Sequence, residues 1–254
     1  MAWNPETYNK FKAERFAPFY DVLALVKIKP NMDVIDLGCG TGELTEKLAN
    51  TLPNAKMLGV DSSKEMLEDA RAFASDALKF EQRTIEEQLT TNQKWDLIFS
   101  NAAIQWVDNH ETLLPEIINT LKPNGQLAIQ IPSQNDNILN QILLELVQEE
   151  PYQSGLKGWK RSSPVLSLDE YAQIFFENGC KDMTLYEKIY PLIVPNQDEL
   201  YNFISGSSLV PYFERMNGTI KENFITEFKN RIHKRFPKKP VLYAFKRIIM
   251  EARF

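Results

Sequence analysis

A chain of 254 residues, 43% hydrophobic and 25% charged, has the material for one large α/β domain or a core with an elaborated cap. Its net charge of −5 gives no general pull toward nucleic acid or an acidic membrane. Cys39 and Cys180 are too few for a disulfide framework, no metal-ligand spacing surrounds them, and no apolar run approaches the roughly 18 residues that span a bilayer. Met1 to Lys12 shows no signal-peptide pattern, so the expectation is a cytoplasmic protein.

Taken in order, Trp3-Asn4-Pro5 is followed by Tyr8, Phe11, Lys12, Arg15 and Phe16 at helical spacing. This predicts a helical segment over residues 1–27, with a second amphipathic turn at Phe19 to Val26. Its aromatics either pack on the core or form a lid over a ligand, with Arg15 paired to the ligand's carboxylate. Val34-Ile35-Asp36-Leu37 then reads as a short buried strand, and Gly38, Gly40 and Gly42 follow at alternate positions. Leu44 and Leu48 mark one face of a helix behind them. Strand, glycine loop and helix open a βαβ unit.

The loop departs from the dinucleotide pattern, because its third glycine comes too early, and from the P-loop, because no Gly-Lys-Ser/Thr follows. Asp36, inside the strand, would repel a phosphate and suits a ligand ammonium group. Asp61 closes the apolar run Met57-Leu58-Gly59-Val60, where a carboxylate can accept from two ribose hydroxyls. Ser62 with Glu65 has the spacing of a capping box, and Met66, Leu67 and Ala70 supply an apolar helix face, Met66 within reach of an adenine ring.

Leu78 to Arg83 predicts a third strand and Trp95 to Asn101 a fourth. A helix over 111–121 carries Leu113, Leu114, Ile117, Ile118 and Leu121 and should stop at Lys122-Pro123-Asn124-Gly125. Gln126 to Ile131 is the fifth strand. This alternation over 31–132 predicts a doubly wound, mostly parallel sheet and a cofactor-binding core. Ile138 to Val147 and Leu168 to Asn178 read as helices, the latter ended by Gly179; Tyr152 to Pro164 reads as irregular. Last strands fall within 181–194 and 241–254, the final one antiparallel at the sheet edge. Residues 133–168 and 195–239 would form a helical substrate cap, all within a single domain spanning 1–254.

The acid, the three alternating glycines and the second acid resemble motifs I and II of the class I S-adenosylmethionine-dependent methyltransferases. Trp3-Asn4-Pro5 with Tyr8 and Glu14-Arg15 resembles the amino-terminal signature of the trans-aconitate 2-methyltransferase family. Asp96-Leu97-Ile98-Phe99-Ser100-Asn101-Ala102-Ala103-Ile104-Gln105-Trp106 and Leu121-Lys122-Pro123-Asn124-Gly125-Gln126-Leu127 are similar to that family's fourth-strand motif and its turn into the fifth strand.

The resemblance implies a Rossmann-like, seven-stranded α/β fold. It also implies S-adenosylmethionine as cofactor, S-adenosylhomocysteine as product, and esterification of a carboxylate of trans-aconitate or a related acid. It places the cofactor against Tyr8, Arg15, Asp36, Gly38, Cys39, Gly40, Asp61, Ser62, Met66, Thr84, Ile85, Asn101, Ala102 and Trp106. Two positions depart from it. Thr84 stands where the family has an Asp for the adenine amino group. Val210, in Gly206-Ser207-Ser208-Leu209-Val210-Pro211-Tyr212, stands where the family carries an Arg able to clamp a carboxylate.

A carboxylate nucleophile, with an unperturbed pKa of about 4, is already ionised and needs no general base. No catalytic side chain and no metal is therefore expected. Gln105 and Trp106, just past the fourth strand, and Arg161, Tyr212 and Arg215 in the cap are the substrate candidates. Asn101-Ala102-Ala103 lacks the paired prolines of enzymes that methylate base amines. The basic cluster Lys229, Arg231, Lys234, Arg235, Lys238 and Lys239 reads as a solvated face rather than a nucleic-acid surface. Three readings stay open: a monomeric methyltransferase of small carboxylic acids, a carboxyl methyltransferase whose basic cluster docks an acyl carrier, and a module that binds the cofactor without catalysis.

Overall fold

The computed structural model describes residues 12–159 and 161–254. Two compact units emerge, one built from Phe16–Pro132, Pro164–Lys188 and Arg247–Phe254, the other from Ser133–Ser163 and Ile189–Lys246. The expectations placed on Trp3, Tyr8 and Phe11 lie outside the described residues.

α1 (Lys12–Leu25), which belongs to the first unit from Phe16 on, is one helix where the spacing predicted a helix and a separate turn. Phe19 and Val22 are completely buried, and the Phe19 ring meets Phe99 edge-on at 5.6 Å. Five parallel strands follow: β1 (Asp33–Leu37), β2 (Lys56–Asp61), β3 (Leu78–Gln82), β4 (Trp95–Asn101) and β5 (Leu121–Pro132). With β6 (Asp182–Val194) and β7 (Val241–Arg253) the sheet has seven strands in the order β3-β2-β1-β4-β5-β7-β6. β7 runs antiparallel to β5, as expected, but it inserts between β5 and β6, so β6 rather than the terminal strand forms the edge of the sheet.

Alternate residues of the strands point to opposite faces and fill two different cores. Ile35, Leu37, Leu58, Val60 and Ile98 pack on one side, and Val34, Met57, Leu97 and Phe99 on the other. A strand buried on both faces has no polar side to show, which is why these runs are continuously apolar. At their amino ends the like charges of Asp33 and Asp96 are bridged by Lys122, whose Nζ lies 2.6 and 2.8 Å from their Oδ2 atoms.

The connecting helices are α2 (Glu43–Thr51), α3 (Lys64–Ala70), α4 (Ile85–Leu89) and α5 (His110–Ile118). Two boundaries differ from expectation. The predicted helix over 111–121 ends at Ile118, and Leu121 already pairs with Trp95 in β5. The Lys122–Gly125 turn, with Asn124 at φ +62°, instead interrupts the start of β5, and pairing resumes at Leu97 with Gln126.

Beyond β5 lie α6 (Ile138–Leu146), the single turn α7 (Tyr152–Gly155), α8 (Leu168–Glu177), α9 (Gln197–Ser205), the short α10 (Val210–Phe213) and α11 (Gly218–Arg235). α8 belongs to the first unit. It is capped at Ser167 and closed by Gly179 at φ +82°, with Cys180 N–H donating to Phe175 O and Gly179 N–H to Phe176 O. Those two bonds form a Schellman motif. The second unit has its own core, where Leu139, Leu146, Leu200, Phe224, Phe228 and Ile232 are fully buried. Among the described residues no helix is long and apolar enough to cross a membrane.

Candidate functional site

The strand order reverses between β1 and β4, and ligands of open α/β sheets bind where the carboxyl ends of such neighbours part. Both ends are held to each other, because Ser100 Oγ donates to Leu37 O at 2.8 Å. The glycine loop folds tightly over them. Gly38 N–H and Cys39 N–H both donate to Val60 O, at 2.8 and 3.0 Å. Gly38, at φ +79°, lies so close to the loop after β4 that an added Cβ would stand 2.1 Å from the Cβ of Ala103. Only glycine tolerates both conditions.

Asp36 is buried, and Thr45 Oγ1 of α2 donates to its Oδ2 at 2.6 Å. Its Oδ1 is buried with no hydrogen-bond partner among the described residues. Burial pushes the Asp36 carboxyl up to about 7; the Thr45 bond opposes the shift and the nearby Asp61 charge adds to it. An orphaned, poorly solvated acceptor of this kind calls for a cationic donor. Asp61, at the end of β2, accepts from Gly40 N–H and Ser63 N–H, both at 2.9 Å. A carboxylate offers about four lone-pair directions, so capacity remains for two ligand hydroxyls.

Ser63, not Ser62, caps α3, accepting from Met66 N–H at 3.2 Å. The reason is Asp61, whose Oδ1 draws in the Ser63 N–H and turns the chain one residue later than the capping-box spacing implied. Ser62 is exposed, while the Met66 sulfur lies 3.7 Å from where a Gly40 Cβ would sit. Thr84 caps α4 in a reciprocal box with Glu87, so its hydroxyl oxygen already accepts one bond, and the Ile85 side chain is buried. The Cys39 side chain packs with Leu67 and Ala70, and burial raises its thiol far above the usual range; it serves the loop through its backbone.

The turn after β4 is strained. Ala102 adopts φ +55°, and its N–H donates to Gln130 O at 2.8 Å. Gln105, one of the substrate candidates, is buried and donates Nε2 to Ala102 O at 2.7 Å, bracing the turn. Trp106 closes the one-turn segment Ile104–Trp106 and is 41% exposed. Behind the turn His110 Nδ1 lies 2.6 Å from the Tyr171 hydroxyl and Nε2 3.0 Å from Ile104 O. The Ile104 carbonyl can only accept, so Nε2 carries the ring proton and Nδ1 accepts from the Tyr171 hydroxyl, whose oxygen in turn accepts from Leu166 N–H. Both nitrogens are thus engaged, and burial lowers the His110 pKa.

Of the remaining candidates, Arg15 lies in α1 with its side chain outside the described residues, as is all of Tyr8. Arg161, Tyr212 and Arg215 come together in the second unit. Burial raises the Tyr212 pKa, opposed by a backbone hydrogen bond from Arg161. Its ring meets Trp159 edge-on at 5.1 Å, and the Arg215 guanidinium stands 4.0 Å over the Trp159 ring. Val210 opens α10 two residues before Tyr212. The basic cluster is partly spent on internal pairs, Lys229 with Asp198 and Arg231 with Glu149 and Glu227. Thr45, Ser63, Ala103, Gln130 and Trp159 were not anticipated; only Thr45, one turn into a helix after the glycines, carried a visible signal.

A family model described as "Methyltransferase domain" matches residues 28–191. A trans-aconitate 2-methyltransferase of Deinococcus radiodurans is 38% identical over 258 residues, covering 99% of this chain and 98% of that protein. Among solved structures, the YcgJ protein of Bacillus subtilis superposes with a TM-score of 0.60 at 18% identity, covering 93% of this chain and 97% of its own. A phosphoethanolamine N-methyltransferase of Haemonchus contortus in complex with S-adenosyl-L-methionine gives 0.54 at 15% identity, over 92% of this chain and 51% of that one. With a relative of that identity running from end to end, the chain belongs to the trans-aconitate 2-methyltransferase family of the class I S-adenosylmethionine-dependent methyltransferases.

Proposed function

We propose that this enzyme transfers the methyl group of S-adenosylmethionine to a carboxylate of a small organic acid of the trans-aconitate class. The end-to-end likeness to the Deinococcus protein carries the reading. When bound, S-adenosylmethionine supplies a methyl group on an electrophilic sulfonium sulfur. Asp36 Oδ1 fits its ammonium group and Asp61 its ribose hydroxyls, while Met66 and Thr84 border the expected place of the adenine. The chain's own work is alignment and exclusion of water, which brings an already ionised nucleophile to the methyl carbon without a proton transfer. His110 fits this view as a brace rather than a base, since both its nitrogens are engaged.

In this reading residues 31–132 serve the cofactor, residues 133–168 and 195–239 select the acid, and the protein acts as a cytoplasmic monomer independent of nucleic acid and membrane. Arg161, Tyr212 and Arg215 take the role of the acid's recognition group. Transfer of a labelled methyl to a panel of small acids and acyl-carrier thioesters tests it. Base-labile label on trans-aconitate or a close analogue is expected. Label confined to the carrier, or absent throughout, would overturn it.

A further inference from the structure

We propose that Asn101 presents its amide N–H, not its carbonyl, to a ligand carboxylate at the end of β4, and that buried Arg247 sets this polarity through Gln130. The three residues lie on adjacent strands of the first unit: Asn101 on β4, Gln130 opposite it on β5, and Arg247 on β7. Gln130 and Arg247 are 1% and 6% exposed, whereas Asn101 is half-buried.

Arg247 Nη1 donates to Gln130 Oε1 at 2.9 Å, and Gln130 Nε2 donates to Asn101 Oδ1 at 3.0 Å. The oxygen and nitrogen of an amide resemble each other in shape, so their order must come from the network. Here one end of the chain has a single sign. A guanidinium only donates, so Gln130 must turn its oxygen to Arg247 and its NH2 to Asn101. Asn101 must then answer with Oδ1. Its Nδ2 is left directed away from Gln130 at the rim of the sheet, next to Ala102, with no partner among the described residues.

That tail is an N–H dipole backed by a buried cation, and the ligand chemistry it recognises is an anion able to accept, a carboxylate. A rigidly held donor has a further advantage here. Ala102 N–H is tied to Gln130 O at 2.8 Å, so the residue after Asn101 cannot swing to compensate for a change in polarity. Two carboxylates qualify, that of the acid substrate and that of the amino-acid end of S-adenosylmethionine. The first rests on the carboxyl methylation proposed above; the second does not.

Gln130→Glu is the decisive variant. A carboxylate at 130 still satisfies Arg247, as an ion pair, but accepts on both sides. Asn101 must then flip to donate to it and show its carbonyl oxygen to the ligand. The fold should hold, with a thermal midpoint at or above that of the wild type. If the acid is the ligand, its KM rises about tenfold to a hundredfold while kcat and the Kd of S-adenosylhomocysteine stay put. If the cofactor is the ligand, the Kd of S-adenosylhomocysteine rises by that factor, and that of methylthioadenosine, which lacks the amino-acid end, does not.

Asn101→Asp, an exposed-side change that places acceptor oxygen on both sides without touching the buried pair, should reproduce the same loss. Folded variants with both constants within about twofold of wild type would overturn the inference. Should the wild type bind S-adenosylhomocysteine yet esterify no acid, the proposed function fails separately, and the comparison of S-adenosylhomocysteine with methylthioadenosine decides this inference alone.

Discussion

Thr45 Oγ1 donates to one oxygen of Asp36 at 2.6 Å, and the other, buried oxygen has no partner among the described residues. The carboxyl is therefore half solvated by the protein, and its folded pKa, about 7, lies above the roughly 3.9 of an unfolded aspartate. The sign follows. The protonated form is favoured by folding, so this contribution to stability is full below about pH 4 and is lost as pH rises through 7. An ammonium ligand favours the ionised form. Affinity for S-adenosylhomocysteine should thus fall about tenfold per pH unit below 7 and level off above it. Calorimetry at several pH values, in buffers of different ionisation enthalpy, should also show a proton released on binding at pH 6. A flat profile would show that the ammonium does not meet Asp36.

Asp61 accepts from Gly40 and Ser63 and keeps lone pairs for the ligand. Asp61→Ala should weaken S-adenosylhomocysteine by about tenfold to a hundredfold, the value of a hydrogen bond to a charged group. Titration calorimetry showing wild-type affinity would remove Asp61 from the site.

Gly38→Ala meets two penalties, a left-handed backbone and a methyl 2.1 Å from Ala103 Cβ. The thermal midpoint should drop and cofactor binding should be lost. Adding Ala103→Gly should recover the part due to overlap but not the backbone part, which is about 1 kcal/mol or more. Full recovery would mean that the φ of +79° is not imposed by the loop.

His110 is held neutral behind the β4 turn. Because burial lowers its folded pKa, its contribution is present above the unfolded value of about 6.5 and lost as pH falls below it. His110→Leu should remove that dependence and cost about 1–3 kcal/mol at pH 8, where the Tyr171 hydroxyl and Ile104 carbonyl lose their partner. Denaturant melts of both proteins at pH 5.5 and 8 check this; a constant difference would dissociate His110 from the pH response.

The family resemblance implies a carboxylate clamp at the position where Val210 stands, with Tyr212 and Arg215 within five residues. Val210→Arg should raise kcat/KM for trans-aconitate, and Arg215→Met should lower it by about tenfold or more, as loss of a charge-assisted bond does. Steady-state kinetics showing no response to either change would put the clamp elsewhere.

The centre of the sheet was readable because β1, β2 and β4 carry buried apolar runs and the helices carry one-sided faces; β4 was placed to the residue and β2 by its closing acid. What was hidden depends on partners distant in sequence. Gln105 folds its side chain back on Ala102, a bond that the local spacing does not announce. Ser62 and Ser63 are indistinguishable as caps until Asp61 is seen to hold one of them. Arg247 and Gln130, separated by most of the carboxyl half, meet only because β7 inserts beside β5. Local spacing carries helix faces and turns; it carries no record of which strand lies next to which.

The two thiols of this enzyme are unequal in a way that matters to anyone wishing to watch it work. Cys39 lies inside the glycine loop, buried against Leu67 and Ala70 and held protonated, a poor target for an electrophile. Cys180 is partly open at the Gly179 turn. A maleimide dye added to the native protein should therefore couple once, at position 180, leaving the cofactor loop untouched. No engineering of a cysteine-free background is needed to attach a single fluorescent reporter.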